Sequence, residues 1–285
     1  MTPRIRHLAL GAWLALLLLP AAAWAVDGTR LIDQARALAG GLTPGDAPGF
    51  PVTISQSGSY RLSGNLTVPD AGTTAIEITA DNVTLDLNGF AIVGPTVCSG
   101  FPNVCAPVGA GIGIWSERNY IAVRNGAVRG MGGDGMRLNR PAGAGATSGH
   151  LVDSVQVASN GGDGIMIGNG LVRASISRRN GARGIALESG SALDNDAQLN
   201  GDVGVRVFGM ATVRGNNVVS NHGCGISVNS GLVSDNMVGQ NQNGLCLGSV
   251  GYRGNTLIVN GALGGLNMGQ NMCVAAPGGV PAVCP

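Results

Sequence analysis

The chain contains no lysine, and only 12% of its residues are charged. With Arg4 and Arg6 assigned to an export signal, its 17 basic residues become 15, against 16 acidic ones. Nucleic-acid binding rests on a basic patch or stripe, so a neutral chain of this kind is excluded from that class. Aromatic residues are scarce as well, at 4%. Beyond residue 25 the only tryptophan is Trp115, joined by Tyr60, Tyr120 and Tyr252. Saccharide clefts usually stack several rings, so a cleft rich in aromatic platforms is not expected. No apolar run after residue 25 approaches the roughly 20 residues of a transmembrane helix. Glycine is what the chain has in excess, at 49 of 285 residues. Collagen is excluded because no three-residue period accompanies it, and plentiful Val, Ile and Leu exclude disorder.

Residues 1–25 read as a secretory signal. Arg4 and Arg6 supply its positive start, residues 8–19 its apolar stretch, and Ala23-Trp24-Ala25 its small-x-small cleavage site. The mature chain is then expected to begin at Val26 and to be secreted or periplasmic.

Internal repetition decides the fold class. Asparagine recurs at 160, 180, 200, 221, 241 and 260, at intervals of 20, 20, 21, 20 and 19. About four residues later comes a glycine (164, 184, 204, 225, 244 and 265), expected to turn a corner with positive φ. Two apolar columns follow it. One is Met136, Ile165, Ile185, Val205, Ile226, Leu245 and Leu266; the other is Leu138, Ile167, Leu187, Val207, Val228, Leu247 and Met268. Alternation with period two marks a strand with one buried face. Repeating it every 20 residues stacks the strands in a parallel sheet, about 4.8 Å apart. Val172, Ala192, Val213 and Val233 mark a second strand in each coil. The class is therefore all-β, a right-handed parallel β-helix, with the asparagines placed to bond one another up a ladder. Leucine-rich, helical and hexapeptide solenoids fail on spacing.

Upstream, Asn82 to Gly89 and Asn119 to Gly126 share an Asn-x5-Asn-Gly pattern 37 residues apart, one coil plus an insertion at 94–110. A second insertion occupies 141–149, and both are expected to project as loops. Residues 30–39 form the one expected helix, closed by Gly40 and Gly41 and placed to cap the solenoid. The divisions are a signal at 1–25, a cap at 26–57, the β-helix at 58–271 and a tail at 272–285.

The stretches Gly-Ser-Tyr-Arg-Leu-Ser-Gly-Asn-Leu-Thr-Val (58–68) and Asp-Asn-Val-Thr-Leu-Asp-Leu-Asn-Gly-Phe (81–90), with the Asn-x-x-x-Gly-Ile ladder, resemble bacterial secreted β-helix proteins. Those belong to the pectin lyase-like superfamily, which includes NosD-type periplasmic proteins. The resemblance implies a fold; the family mixes lyases, hydrolases, epimerases and proteins of other roles, so it implies no single activity. In its polysaccharide enzymes, outward residues on one parallel sheet carry the chemistry, with Asp as acid or metal ligand and Arg or Lys as base.

Six cysteines in an exported chain point to disulfides. Cys98 and Cys105 share one insertion, and Cys273 and Cys284 bracket the tail. Cys224 and Cys246 are left on neighbouring coils, offset by about three positions. No Cys-x-x-Cys pair supports a metal site.

Just before the column glycine stand Asp134, Asp163, Arg183, Val203, Cys224 and Asn243. With the 141–149 insertion looped out, Asp134 and Asp163 stack on adjacent coils with Arg183 next. Two carboxylates so close share a proton or a cation, which is the start of an acid/base or calcium site. Asp-Gly is also an ordinary turn dipeptide, and Asp163 with Arg183 an ordinary surface pair. Arg137 and Arg206 point outward on the same face and, with Trp115, are candidate binding residues.

Two readings follow. The first is a non-catalytic carbohydrate- or polymer-binding or cell-envelope protein that needs no cofactor. The second is a polysaccharide lyase or hydrolase acting through Asp134, Asp163 and Arg183, with calcium as a candidate ion. The partner in either case is an extracellular polysaccharide. Scarce aromatics and the lack of long cleft-forming loops favour the first.

Overall fold

A computed structural model describes residues 28–140, 145–259, 261–274 and 282–283. The expected signal segment and Cys284 lie outside the described residues. The chain winds as a parallel β-helix whose coils each contribute to three sheets. In the first sheet Val52, Ile76, Ile114, Met136, Ile165, Ile185, Val205, Ile226, Leu245 and Ala262 stand in one register column. From Val52 to Leu245 these side chains are wholly buried, and so are Leu138, Ile167 and Leu187 two residues on. Removing each branched side chain from water is worth about 1.5–3 kcal/mol, so the stack itself is the core. Among the described residues no helix is long and apolar enough to cross a membrane.

The second sheet contains the expected column Val172, Ala192, Val213 and Val233, all buried. The third sheet was not anticipated. It stacks Val157, Ser177, Ala197, Val218, Val238 and Leu257 inward, and from Ser177 on its strands are only three residues long, such as Ile176–Arg178 and Asp196–Gln198. Its inward position holds serine and alanine as well as valine, so the apolar alternation is too weak to read there.

The positive φ expected of the column glycines is found elsewhere at the corner. Positive φ falls on the residue before each asparagine, at Ser159, Arg179, Leu199, Ser220 and Gln240, with values of 54–56°. Gly164, Gly184, Gly204 and Gly225 are needed instead for space. A Cβ on Gly184 would sit 2.6 Å from both Asn200 Nδ2 and the Gly204 carbonyl oxygen. The asparagines bond as expected: Nδ2 of Asn160, Asn180, Asn200 and Asn221 each donates to Oδ1 of the next, at 2.9–3.0 Å. A second, parallel ladder runs Asn195, Asn216, Asn236, Asn255, Asn271, also at 2.9–3.0 Å. Buried amides satisfied this way fix the register without leaving a polar group unpaired.

Four expectations are corrected. The solenoid starts earlier than residue 58, because Arg30–Ile32 is a strand paired with Gly58–Leu62. The helix is shorter, Gln34–Ala39, because Asp33 ends the strand and caps the helix by accepting from Arg36 N–H at 2.8 Å. The last coil is cut short, since Gly264 and Gly265 turn the chain at φ 77°. Leu266 therefore pairs with Gly251 in the second sheet, and Leu266 and Met268 lie 69% and 53% exposed. The insertion at 94–110 does not project. Its antiparallel hairpin, Val97–Ser99 with Val104–Ala106, lies along the corner of the solenoid. Asn103 Nδ2 donates to the carbonyls of Asn180 (2.9 Å) and Leu199 (2.6 Å), and Phe101 meets His222 edge-on at 5.5 Å. Residues 141–144 lie outside the described residues, but the second insertion is pinned at its end by buried Thr147, which donates to Leu138 O at 2.9 Å.

Candidate functional site

The first sheet presents Trp115, Arg137, Met166, Ala186 and Arg206 as one outward row. Beside it runs the turn column of Asp134, Asp163 and Arg183. Gly135 N–H donates to Asp163 O and Gly164 N–H to Arg183 O, both at 2.9 Å, so the three do stack on successive coils.

Stacking does not leave two carboxylates facing each other unanswered. Asp134 Oδ1 accepts the backbone N–H of Asp163 at 2.8 Å, and its Oδ2 accepts Arg137 Nε and Nη2 at 2.6 Å. Asp163 Oδ1 accepts Arg183 N–H at 2.9 Å and Nε at 3.0 Å, while Oδ2 accepts Nη2 at 2.6 Å. The two carboxylates are only 6% and 5% exposed. Gly162 is held to glycine by this contact, since a Cβ there would lie 2.2 Å from Asp134 Oδ1. Burial pushes the Asp134 carboxyl above its ordinary range; the Arg137 charge opposes this and the Asp163 charge adds to it. Burial alone would lower Arg183, but the bond to Asp163 and its charge raise it.

The chemistry of the trio follows from those partners. All four carboxylate oxygens accept from arginine or backbone donors, so the aspartates orient Arg137 and Arg183. Among the described residues no three His, Cys, Asp or Glu side chains gather as a metal site. A calcium ion, which takes six to eight oxygens, would have to displace both arginines from Asp134 and Asp163.

A groove of about 560 Å³ lies over this face, lined by Trp115, Glu117, Arg137, Arg140, Arg183 and Glu188, with Ala110 and Ile112 along one side. Three of the sequence candidates, Trp115, Arg137 and Arg183, are thus brought together. Arg206 stands further along the row, where Nη1 donates to Ser227 Oγ and the guanidinium lies 4.9 Å from the Phe208 ring. Arg183 approaches the same ring at 5.3 Å. Arg140, Glu117, Glu188 and Phe208 were not anticipated. Three of them share a signal: Glu117, Asn139, Gly168, Glu188, Phe208 and Asn229 each directly follow the second inward residue of their coil.

Disulfides brace this half of the molecule. Cys98 and Cys105 are bonded within the corner hairpin, and Cys224 and Cys246 join neighbouring coils with Cα atoms 6.0 Å apart. That separation is ordinary for a bridge, so the sequence offset of three positions is absorbed by the turn. Cys273 is also disulfide-bonded; Cys284, its expected partner, lies outside the described residues. On the second sheet, Arg61, Asp86, Arg124, Asp153 and Arg173 form an outward ladder of alternating charge with contacts of 2.8–3.8 Å. Its arginines are 46–50% exposed, so each pair is worth at most about 1 kcal/mol. No protein-family model, no curated protein and no solved structure matches this chain.

Proposed function

We propose that the protein is an exported, non-catalytic β-helix that holds a polysaccharide chain in the groove on its first sheet. The observation that carries the reading is the groove itself, an open channel along stacked coils with the indole of Trp115 and three arginines in its lining. An aromatic face beside fixed donors is what a sugar ring uses for its apolar and hydroxyl sides respectively. The occupied oxygens of Asp134 and Asp163 favour binding over acid/base chemistry. Two disulfides suit an oxidising compartment, and the fold is the one the pectin lyase-like resemblance implies.

Trp115 is the only tryptophan after residue 25, so its fluorescence reports on the groove. Oligosaccharides should shift that emission and bind by calorimetry, and Trp115→Ala should weaken them about tenfold, the equivalent of about 1.4 kcal/mol. Release of new reducing ends or unsaturated sugars on incubation with a bound polymer would instead make it an enzyme.

A further inference from the structure

Two of the three arginines in the groove are already neutralised, Arg137 by Asp134 and Arg183 by Asp163, at 2.6 Å each. Three formal charges remain, on Glu117, Arg140 and Glu188, and none of them forms an ion pair among the described residues. Arg140 is held in place, since its Nε donates to the Glu117 backbone carbonyl at 3.1 Å, but a carbonyl does not cancel its charge. All three side chains are partly buried.

Their order along the solenoid is fixed by the register. Glu117 follows Ser116, Asn139 and then Arg140 follow Leu138 one coil further, and Glu188 follows Leu187 two coils beyond that. The floor of the groove therefore reads negative, positive, negative over three coil spacings, about 14 Å at 4.8 Å per coil. Trp115 lies two residues before Glu117 in the chain and adds an aromatic face that also attracts cations.

We infer that the ligand of this groove is a glycan that bears free amino groups as well as acidic groups. Amines answer Glu117 and Glu188, and an acid answers Arg140. A purely acidic polymer would bring like charge onto two carboxylates, and like-charge contact is how interfaces reject a partner. A neutral polymer would cover three charges without pairing any of them, which costs free energy for each charge desolvated. This inference rests on the polysaccharide reading above and sharpens its substrate class.

The test is a calorimetric panel of four oligosaccharides of equal length on the intact protein. They are a glucosamine–glucuronate chain with free amines, its N-acetylated form, a fully deacetylated chitosan oligomer, and the neutral N-acetylchito-oligomer. The free-amine glucosamine–glucuronate chain should bind at least about tenfold more tightly than its N-acetylated form, a gap of about 1.4 kcal/mol. Glu117→Gln with Glu188→Gln should bring that ratio close to one, by weakening the free-amine chain, which loses its partners, and strengthening the N-acetylated chain, which loses the like-charge contact. Arg140→Gln should remove the advantage of the glucosamine–glucuronate chain over chitosan. If the N-acetylated or neutral chain binds the unmodified protein as well as the free-amine chain, the inference falls and the polysaccharide reading stands. If none of the four binds or perturbs Trp115, both fall.

Discussion

At the scale of single residues, burial sets the strongest pH dependence. His150 is 3% exposed, and burial pulls its pKa from 6.5 to about 4. Thr147 Oγ1 donates to Leu138 O, so it accepts from His150 at 2.8 Å, which fixes the proton on Nε2 of a neutral ring. Between pH 6.5 and 4 the unfolded chain binds a proton that the folded chain refuses. Stability is therefore full above pH 6.5 and falls as the pH drops toward 4, by about 3 kcal/mol from this group. His150→Gln keeps a donor for Thr147 and cannot titrate, so denaturant titrations at pH 7 and pH 4.5 should differ less in the variant. Asp163 supplies a second case. Asp163→Asn leaves half-buried Arg183 without its charge partner and should cost about 3 kcal/mol, read as a lower melting temperature. The residue pattern that was legible and the one that was not are both asparagine. The ladder through Asn160 and Asn200 stands out by its period of 20. The ladder through Asn195 and Asn216 escaped notice, although Asn-x4-Asn recurs at 195/200, 216/221, 236/241 and 255/260.

At the scale of elements, the corner hairpin is the feature with most consequence. It crosses a column of small residues: a Cβ on Gly181 would lie 2.2 Å from Gly161 O and 3.1 Å from Cys105 Sγ. The glycines at 161, 181 and 201 give way to His222, and there the hairpin ends with Phe101 on the histidine ring. Nothing in the local sequence of 94–110 announces this docking, because the partners are distant: backbone carbonyls 55 to 96 residues away and the ring of His222 beyond them. Strands of the first two sheets were legible because most of their inward positions hold large apolar side chains, Ser116 and Ala192 among the exceptions. The third sheet, with Ser177 and Ala197 inward, has no such contrast. Gly181→Val should push the hairpin off the corner and cost several kcal/mol, since both neighbours are fixed. Limited proteolysis should then cut between Cys98 and Cys105, with fragments held together until reduction; an uncut hairpin would show that it tolerates the added volume.

For the whole molecule, stability is a sum over coils and the contacts between neighbours. The ends of that stack are unequal. The first coil is bonded on both sides of the cap, with Gln34 of the helix exchanging hydrogen bonds with the Thr67 backbone at 2.7 and 3.2 Å. The last coil has two-residue strands in its first two sheets, Ala262–Leu263 and Leu266–Asn267, and Leu263 and Leu266 are more than half exposed. Local opening should therefore begin at the C-terminal end and travel inward coil by coil, because each coil is held mainly by its neighbours. The Cys224–Cys246 bridge ties two successive coils and should arrest that opening below residue 246. Native-state hydrogen exchange is expected to rank amides of residues 262–274 as least protected, those of 243–253 as intermediate, and those of 165–214 as most protected. Ile185→Asp should collapse the ranking, since a charge set between buried Ile165 and Val205 disrupts coils on both sides. Equal protection from end to end in the native protein would mean that the stack opens as one cooperative unit, and that the unequal caps do not govern its stability.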